Sequence, residues 1–207
     1  MNTIKDDLLR LGVPTLYEAA GRRGLVAGLQ LLVGVPFAGQ AHTAEIPAGD
    51  NLGLHHGLMT ADRTGDVYCV ASTGKGRYGA IGDLLVEQLR ASEWQAIVLD
   101  DAIRDIDSLE APPSIAAQGI CSRGTVKRRP GRVGEDISLG GILVRPGDWV
   151  VGDRDGVVII AEDRITGVLA AAEARLSKET RIAELAKTGV TVLAANLIAT
   201  QELTGSN

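Results

Sequence analysis

The sequence is poor in several things, and each shortage closes a class of explanation. Aromatic side chains make up only 3% of the 207 residues, so the core has to be built from Val, Ile, Leu and Ala. Cysteine occurs twice, at Cys69 and Cys121, each in an apolar, strand-like context. Two buried small hydrophobes are expected there rather than a disulfide or a nucleophile. Apolar runs of membrane-spanning length are missing, and residues 1–8 lack the apolar centre of a signal peptide, which points to a cytoplasmic protein with no membrane partner. Positive charge is in deficit as well. The formal net charge is −5 with no Lys/Arg-rich arm, so general binding to nucleic acid through phosphate neutralisation is not expected.

What is present is an ordinary globular balance, 45% hydrophobic and 23% charged residues, with 26 glycines. That composition predicts an α/β fold with many turns, and the length suits one domain, residues 1–207. Residues 3–11 read as an amphipathic helix stopping near Gly12, with a second helix over 16–23 capped by Thr15. Residues 31–46 are extended and broken by Pro36 and Gly39, and 52–61 are helix-like. A strand at 66–72, a glycine-rich loop at 73–79, a helix over 80–91 and a buried strand at 96–99 form a β-loop-α-β unit. In that helix Ile81, Leu84, Leu85 and Leu89 share one face. The unit implies parallel strands joined by a right-handed crossover. The later half carries short strands of antiparallel or mixed type near 119–121, 137–139, 142–144, 149–151 and 157–160, and a long helix, 163–187, closes the chain.

Two constellations carry chemistry. The first is the loop and helix start. Gly74-Lys75-Gly76-Arg77-Tyr78-Gly79 matches G-x-G-x-x-G, which raises a nicotinamide or S-adenosylmethionine site, with Asp100 in the place of the ribose-binding acid. The motif sits in mid-chain without further βαβ repeats, which argues against that reading. Gly82-Asp83-Leu84-Leu85 offers instead a helix N-terminus whose open N–H groups suit a carboxylate; the alternative is that Gly82 and Asp83 merely begin a helix. The second constellation is Asp100-Asp101-Ala102-Ile103-Arg104-Asp105-Ile106-Asp107, at the C-terminal end of a strand, where α/β sheets place ligands. Four acids in eight residues call for a cationic partner. With no His or Cys cluster beside them, Mg²⁺ or Mn²⁺ fits better than structural zinc, and a solvated acidic turn is the alternative.

Other features read as structure. His55 and His56 are adjacent, so their side chains diverge, and packing is the expectation. Arg123, Lys127, Arg128, Arg129 and Arg132 form a basic loop, either a solvated face or a cationic rim that draws in a di- or tricarboxylate. Residues 153–156 read as a turn between strands.

Taken together, Gly49-Asp50-Asn51, Gly65-Asp66-Val67, the Gly82–Leu85 helix start, Ala102-Ile103-Arg104-Asp105, Gly140-Gly141, Pro146-Gly147-Asp148 and 153–158 recur in the order and spacing of a known family. Over residues 15–189 the chain resembles the RraA-like family, which includes the 4-hydroxy-4-methyl-2-oxoglutarate/4-carboxy-4-hydroxy-2-oxoadipate aldolases. The resemblance implies a single-domain, layered α/β/β fold of the swivelling-domain type with a C-terminal helix, and a homotrimer or hexamer. It also implies a divalent-metal-dependent lyase that releases pyruvate from a 4-hydroxy-2-oxo di- or tricarboxylic acid and decarboxylates oxaloacetate as a side activity. On that reading Gly82, Asp83, Leu84 and Leu85 bind the oxo-acid end, Arg104 pairs with substrate, and Asp105 ligates Mg²⁺ or Mn²⁺. Catalysis would rest on Arg104, Asp105 and a water held by Asp83. The family also contains a non-catalytic regulator that inhibits an RNA-degrading endonuclease and has lost the metal-ligating acid. Asp105 therefore favours the enzyme. One departure is visible: Asp101 stands where family members commonly carry Gly, and an extra acid there would add an outer partner to the metal or alter the substrate tolerated.

Overall fold

Strands with apolar residues on both faces are expected to lie buried between layers, and the centre of the molecule is built from such strands. The structure is a computed structural model that describes residues 3–59, 66–74 and 77–205. In chain order it contains α1 (Ile4–Ala19), β1 (Gln30–Val33), β2 (Phe37–Ile46), α2 (Leu52–Met59), β3 (Val67–Ser72), β4 (Gly79–Ile81), α3 (Asp83–Ala91) and β5 (Ala96–Ile103). There follow β6 (Ser114–Ile120), β7 (Arg132–Val133), β8 (Ile137–Leu139), β9 (Ile142–Val144), β10 (Trp149–Asp153), β11 (Gly156–Ile160), α4 (Ile165–Lys187) and α5 (Val192–Thr204).

The main sheet runs β1-β6-β5-β3-β2-β10-β11, with β4 added to β5 and β7 to β2. The pairs β6-β5, β5-β3 and β3-β2 are parallel, while β1, β10 and β11 join antiparallel at the flanks. Strand periodicity sorts the core into two faces. Tyr68, Val70, Ile97 and Leu99 point to one side, against Leu54 of α2 and Leu85, Val86 and Leu89 of α3. Val67, Cys69, Ala71 and Val98 point to the other, against Ile137, Leu139 and Val144 of the β8-β9 hairpin. This is the α/β/β layering expected. A third cluster packs Leu8, Leu11 and Leu16 of α1 and Ile165 and Val168 of α4 on Trp149, Val151 and Val158 of β10 and β11. Cys69 is fully buried and free, and burial pushes its thiol pKa up, which leaves it inert; Cys121 is free and half-buried. No helix among the described residues is long and apolar enough to cross a membrane.

Several boundaries differ from the sequence reading, each for a tertiary reason. The two N-terminal helices run as one element with a break at Gly12 (φ 74°), and the second ends at Ala19 rather than Arg23. Its first N–H, on Val13, donates to Asp153 Oδ2 at 2.9 Å, so the distant strand turn caps it and Thr15 does not. Gly39 does not interrupt β2. The helix expected over 80–91 begins only at Asp83, because Gly79–Ile81 pairs with Ala102 and Ile103 as a short strand. Leu84 leaves the predicted apolar face and is 83% exposed. The buried strand continues through Ile103, so Asp100 and Asp101 belong to β5. At the C-terminus α4 is followed by a second helix, α5, capped by Thr191. The helix-like stretch at 52–61 is helical over Leu52–Met59, and Thr60 and Ala61 lie outside the described residues.

Candidate active site

The C-terminal ends of β4 and β5 lie together, and the first turn of α3 rises beside them. A cleft of about 230 Å³ opens there, lined by Gly82, Asp83, Leu84, Leu85 and Arg104 together with Asn51, His55, Gln88 and Lys127. The two constellations read from the sequence therefore meet in one place. Their contact is close: a Cβ on Gly82 would lie 2.4 Å from Asp105 Oδ2 and 2.9 Å from Arg104 Nε. Glycine at position 82 is what lets the carboxylate and the guanidinium approach the helix start. Arg104 is threaded between further glycines, since a Cβ on Gly79 would meet its Cβ at 3.0 Å and one on Gly124 its guanidinium at 3.5 Å.

The α3 terminus supplies donors. Gly82 is its N-cap, and no side chain caps it. Leu84 N–H is taken by Asp83 Oδ1 at 2.7 Å, and Leu85 and Val86 N–H turn to Gly82 O, which leaves the Gly82 and Asp83 amides for a ligand. Leu84 stands exposed at the lip of the cleft, and the Leu85 side chain is core.

Arg104 and Asp105 follow the last residue of β5. Asp105 takes a left-handed conformation (φ 59°), which is uncommon for a residue with a side chain and concentrates at functional sites. The two side chains face each other at 3.4 Å (Nε to Oδ2) and are roughly 46% and 39% exposed, so neither is consumed by the fold. No group of three or more His, Cys, Asp or Glu among the described residues could hold a metal unaided. The donor set is a single carboxylate beside an open cleft. It fits a hydrated Mg²⁺ or Mn²⁺ that keeps waters and takes its other ligands from substrate oxygens, and it does not fit structural zinc.

The remaining acids of the segment behave differently. Asp101 is 1% exposed and accepts from Ser72 Oγ (2.6 Å), Tyr78 N (2.9 Å) and Ala102 N (3.0 Å), while Asp100 accepts from Gln118 Nε2 and Gly140 N. Asp101 tethers the β3-β4 connection from within the strand, so the sequence reading of it as a metal's outer partner gives way to an anchoring role. The G-x-G-x-x-G stretch has a packing explanation too. A Cβ on Gly74 would press on Asp101, one on Gly79 would meet Cys121 O at 2.2 Å, and a strand, not a helix, follows the loop. Lys75 and Gly76 lie outside the described residues.

Asn51, His55 and Lys127 also line the cleft, although the sequence reading assigned the histidine pair to packing. Their signal was the Gly49-Asp50-Asn51 turn. Asp50 is buried; burial opposes its charge, but N–H groups of Leu52, Arg129 and Arg128 and the Arg129 guanidinium together hold its carboxyl below the usual range. Asp50 thereby fastens the start of α2 to the basic loop. Of that loop, Arg129 and Arg132 pair with acids, Arg123 lies over the Tyr78 ring, and Lys127 reaches the cleft.

A family model described as RraA-like, Aldolase/RraA, matches residues 4–159. A protein of Halalkalibacterium halodurans provisionally named 4-hydroxy-4-methyl-2-oxoglutarate aldolase is 33% identical over 132 residues, 63% of this chain and 62% of that protein. The chain thus spans under two thirds of that relative's length. The structure of Streptomyces coelicolor RraAS2, described as an unusual member of the RNase ES inhibitor RraA protein family, is similar with a TM-score of 0.75 and 26% identity, covering 86% of this chain and 93% of that one. An uncharacterised protein from Pseudomonas syringae pv. tomato shares the fold with a TM-score of 0.73 and 22% identity, covering 93% and 96%.

Proposed function

This chain belongs to the RraA-like family, and from that premise and the cleft we propose that it is a divalent-metal-dependent lyase of the aldolase type. Its substrate would be a 4-hydroxy-2-oxo di- or tricarboxylic acid cleaved to pyruvate, with oxaloacetate decarboxylation as a side activity. The observation that carries the reading is the junction of Asp105, Arg104 and Gly82, where a carboxylate meets a guanidinium and an uncapped helix start beside the cleft that Arg104 and Gly82 line. The aldolase name of the H. halodurans relative supports the same class. A single RraA-like domain over 1–207, assembled as a trimer or a pair of trimers, is part of the proposal.

Asp105 would hold the Mg²⁺ or Mn²⁺. When bound, the cation supplies Lewis-acid stabilisation of the charge that develops on the 2-oxo half. Arg104 orients the substrate carboxylate through paired N–H donors and shares its charge. The Gly82 and Asp83 amides receive the oxo-acid end at the helix start, and Leu84 and Leu85 shape its apolar side. Asp83, exposed at the mouth, holds a water that returns a proton to the product carbon. No lysine lies in the Gly82–Leu85 or Asp101–Asp105 segments, and the scheme gives Lys127, which lines the cleft, the role of a fixed positive charge, with the cation in place of a Schiff base.

Pyruvate release from 4-hydroxy-2-oxo acids is the test, run with Mg²⁺ or Mn²⁺ and again after chelation. Activity that survives chelation, or an Asp105→Ala variant as active as the parent, would end the metal assignment. The likeness to RraAS2 raises a second reading, a non-catalytic inhibitor of an RNA-degrading endonuclease. Retention of Asp105 favours the enzyme. Capture of the endonuclease together with no lyase activity on any oxo acid would reverse the ranking.

A further inference from the structure

Two buried side-chain atoms lack a hydrogen-bond partner among the described residues, Asn51 Oδ1 and His55 Nε2. Buried polar atoms are nearly always paired, because a bare one forfeits its hydration without return. Both residues line the active-site cleft, one helical turn apart at the start of α2, so a ligand in that cleft is what completes their bonding.

The chemistry of the two atoms specifies the ligand. Asn51 Nδ2 donates to Ala80 O at 2.8 Å; a carbonyl takes only donors, so the amide orientation follows and Oδ1 is left as an acceptor. Burial first, and then the charge of Lys127, holds the His55 pKa below its usual value and so favours the neutral ring, against an opposing influence of Gln88. In the neutral tautomer with its proton on Nδ1, the unpartnered Nε2 carries a lone pair. Both unpartnered atoms are acceptors on residues that line a cleft shared with Arg104, Lys127 and Asp83, and a hydroxyl hydrogen is a donor that suits them.

We propose that His55 Nε2 accepts the hydroxyl hydrogen of the hydroxy-oxo acid and removes that proton during cleavage, with Asn51 Oδ1 sharing the same hydrogen in a forked bond until it is transferred. This rests on the lyase reading and adds to it a catalytic residue. The O–H bond breaks and its proton goes to Nε2. The freed electron pair forms a carbonyl on the hydroxyl-bearing carbon, the bond from that carbon to the pyruvyl half breaks, and that bond's electrons stay with the pyruvyl half as an enolate. The enolate carbon takes a proton from the water at Asp83 and the imidazolium returns one to solvent, so atoms and charge balance. Decarboxylation of oxaloacetate produces the same enolate with no hydroxyl proton to remove, and it separates the role of His55 from the rest of the site.

Cleavage of a 4-hydroxy-2-oxo dicarboxylate and decarboxylation of oxaloacetate are measured side by side, with the same divalent cation, on the parent, His55→Gln, His55→Ala and Asn51→Leu. Loss of a general base lowers cleavage about 100-fold or more in both His55 variants, while decarboxylation falls by less than about 5-fold and doubles as the check on folding. Asn51→Leu shifts the same ratio by roughly 10-fold, the worth of one hydrogen bond. Equal loss of the two activities in the His55 variants would overturn the assignment, and so would undiminished cleavage. A parent chain that decarboxylates and cleaves nothing would remove the aldolase reading, and this role with it.

Discussion

Asp101 and Asp105 stand four residues apart and look alike as letters, but the fold treats them in opposite ways. Asp101 is sealed inside β5 with three donors on its carboxylate, and it holds the β3-β4 connection in place. Asp105 sits just past the strand end in a left-handed conformation, half-exposed, with one loose contact to Arg104. A buried acid whose oxygens already bond inside the fold is closed to a ligand, whereas an acid held in an unfavourable backbone conformation and left open is available for one. In a run of acids, the one that the fold holds in position but leaves open is the candidate for chemistry, and here that is Asp105.

Substitutions can break that comparison, and the largest effect belongs to Asp105. Asp105→Asn is expected to lower metal-dependent pyruvate release by more than about 100-fold while thermal melting shifts by no more than roughly 2 °C, since the side chain supports no buried contact. Gly82→Ala comes next. Its added Cβ displaces the Asp105 carboxylate and the Arg104 side chain, and activity should fall about 10- to 100-fold in a steady-state assay with little loss of stability, because both neighbours are partly exposed side chains rather than backbone. Asp101→Ala should do the reverse. It strands the Ser72 hydroxyl and the Tyr78 N–H, so denaturant unfolding should show a loss of about 1–3 kcal/mol, and any loss of activity should follow the unfolding.

The smallest effects are in pH. The Asp50 carboxyl has a lowered pKa in the folded chain, so it contributes stability that is present above the usual carboxylate range and is lost as pH falls through its folded value. Asp50→Asn should flatten the acid limb of a stability-versus-pH curve. His55 is also lowered, but it is a base: below its usual pKa the unfolded chain takes up the proton first, and stability declines as the medium becomes mildly acidic. His55→Gln should remove that gentle slope in equilibrium unfolding measured across the titration range of an ordinary histidine.

Much of this was legible in the residues. The strand at 66–72, the buried strand at 96–99 and the helix between them announced a parallel unit, and Gly82 with Arg104-Asp105 marked a candidate site at its strand end. Three things were not legible. Gly79–Ile81 has helix-compatible residues but pairs with Ala102 and Ile103, a contact between segments some twenty residues apart. The cap on Val13 comes from Asp153, 140 residues away, and no local pattern encodes it. His55 looked like half of a diverging pair, and only the approach of α2 to the α3 start turned one ring toward the cleft and left its neighbour in solvent.

Side-chain periodicity, turn residues and the order of short motifs are local quantities. They determined the fold class and set Arg104 and Asp105 just past a strand end. Which polar atoms end up satisfied is not local, because a hydrogen bond is made by whatever the chain brings within about 3 Å. That accounting gave Asp101 to the scaffold and left Asp105, Asn51 and His55 open, and the tertiary structure alone decided it.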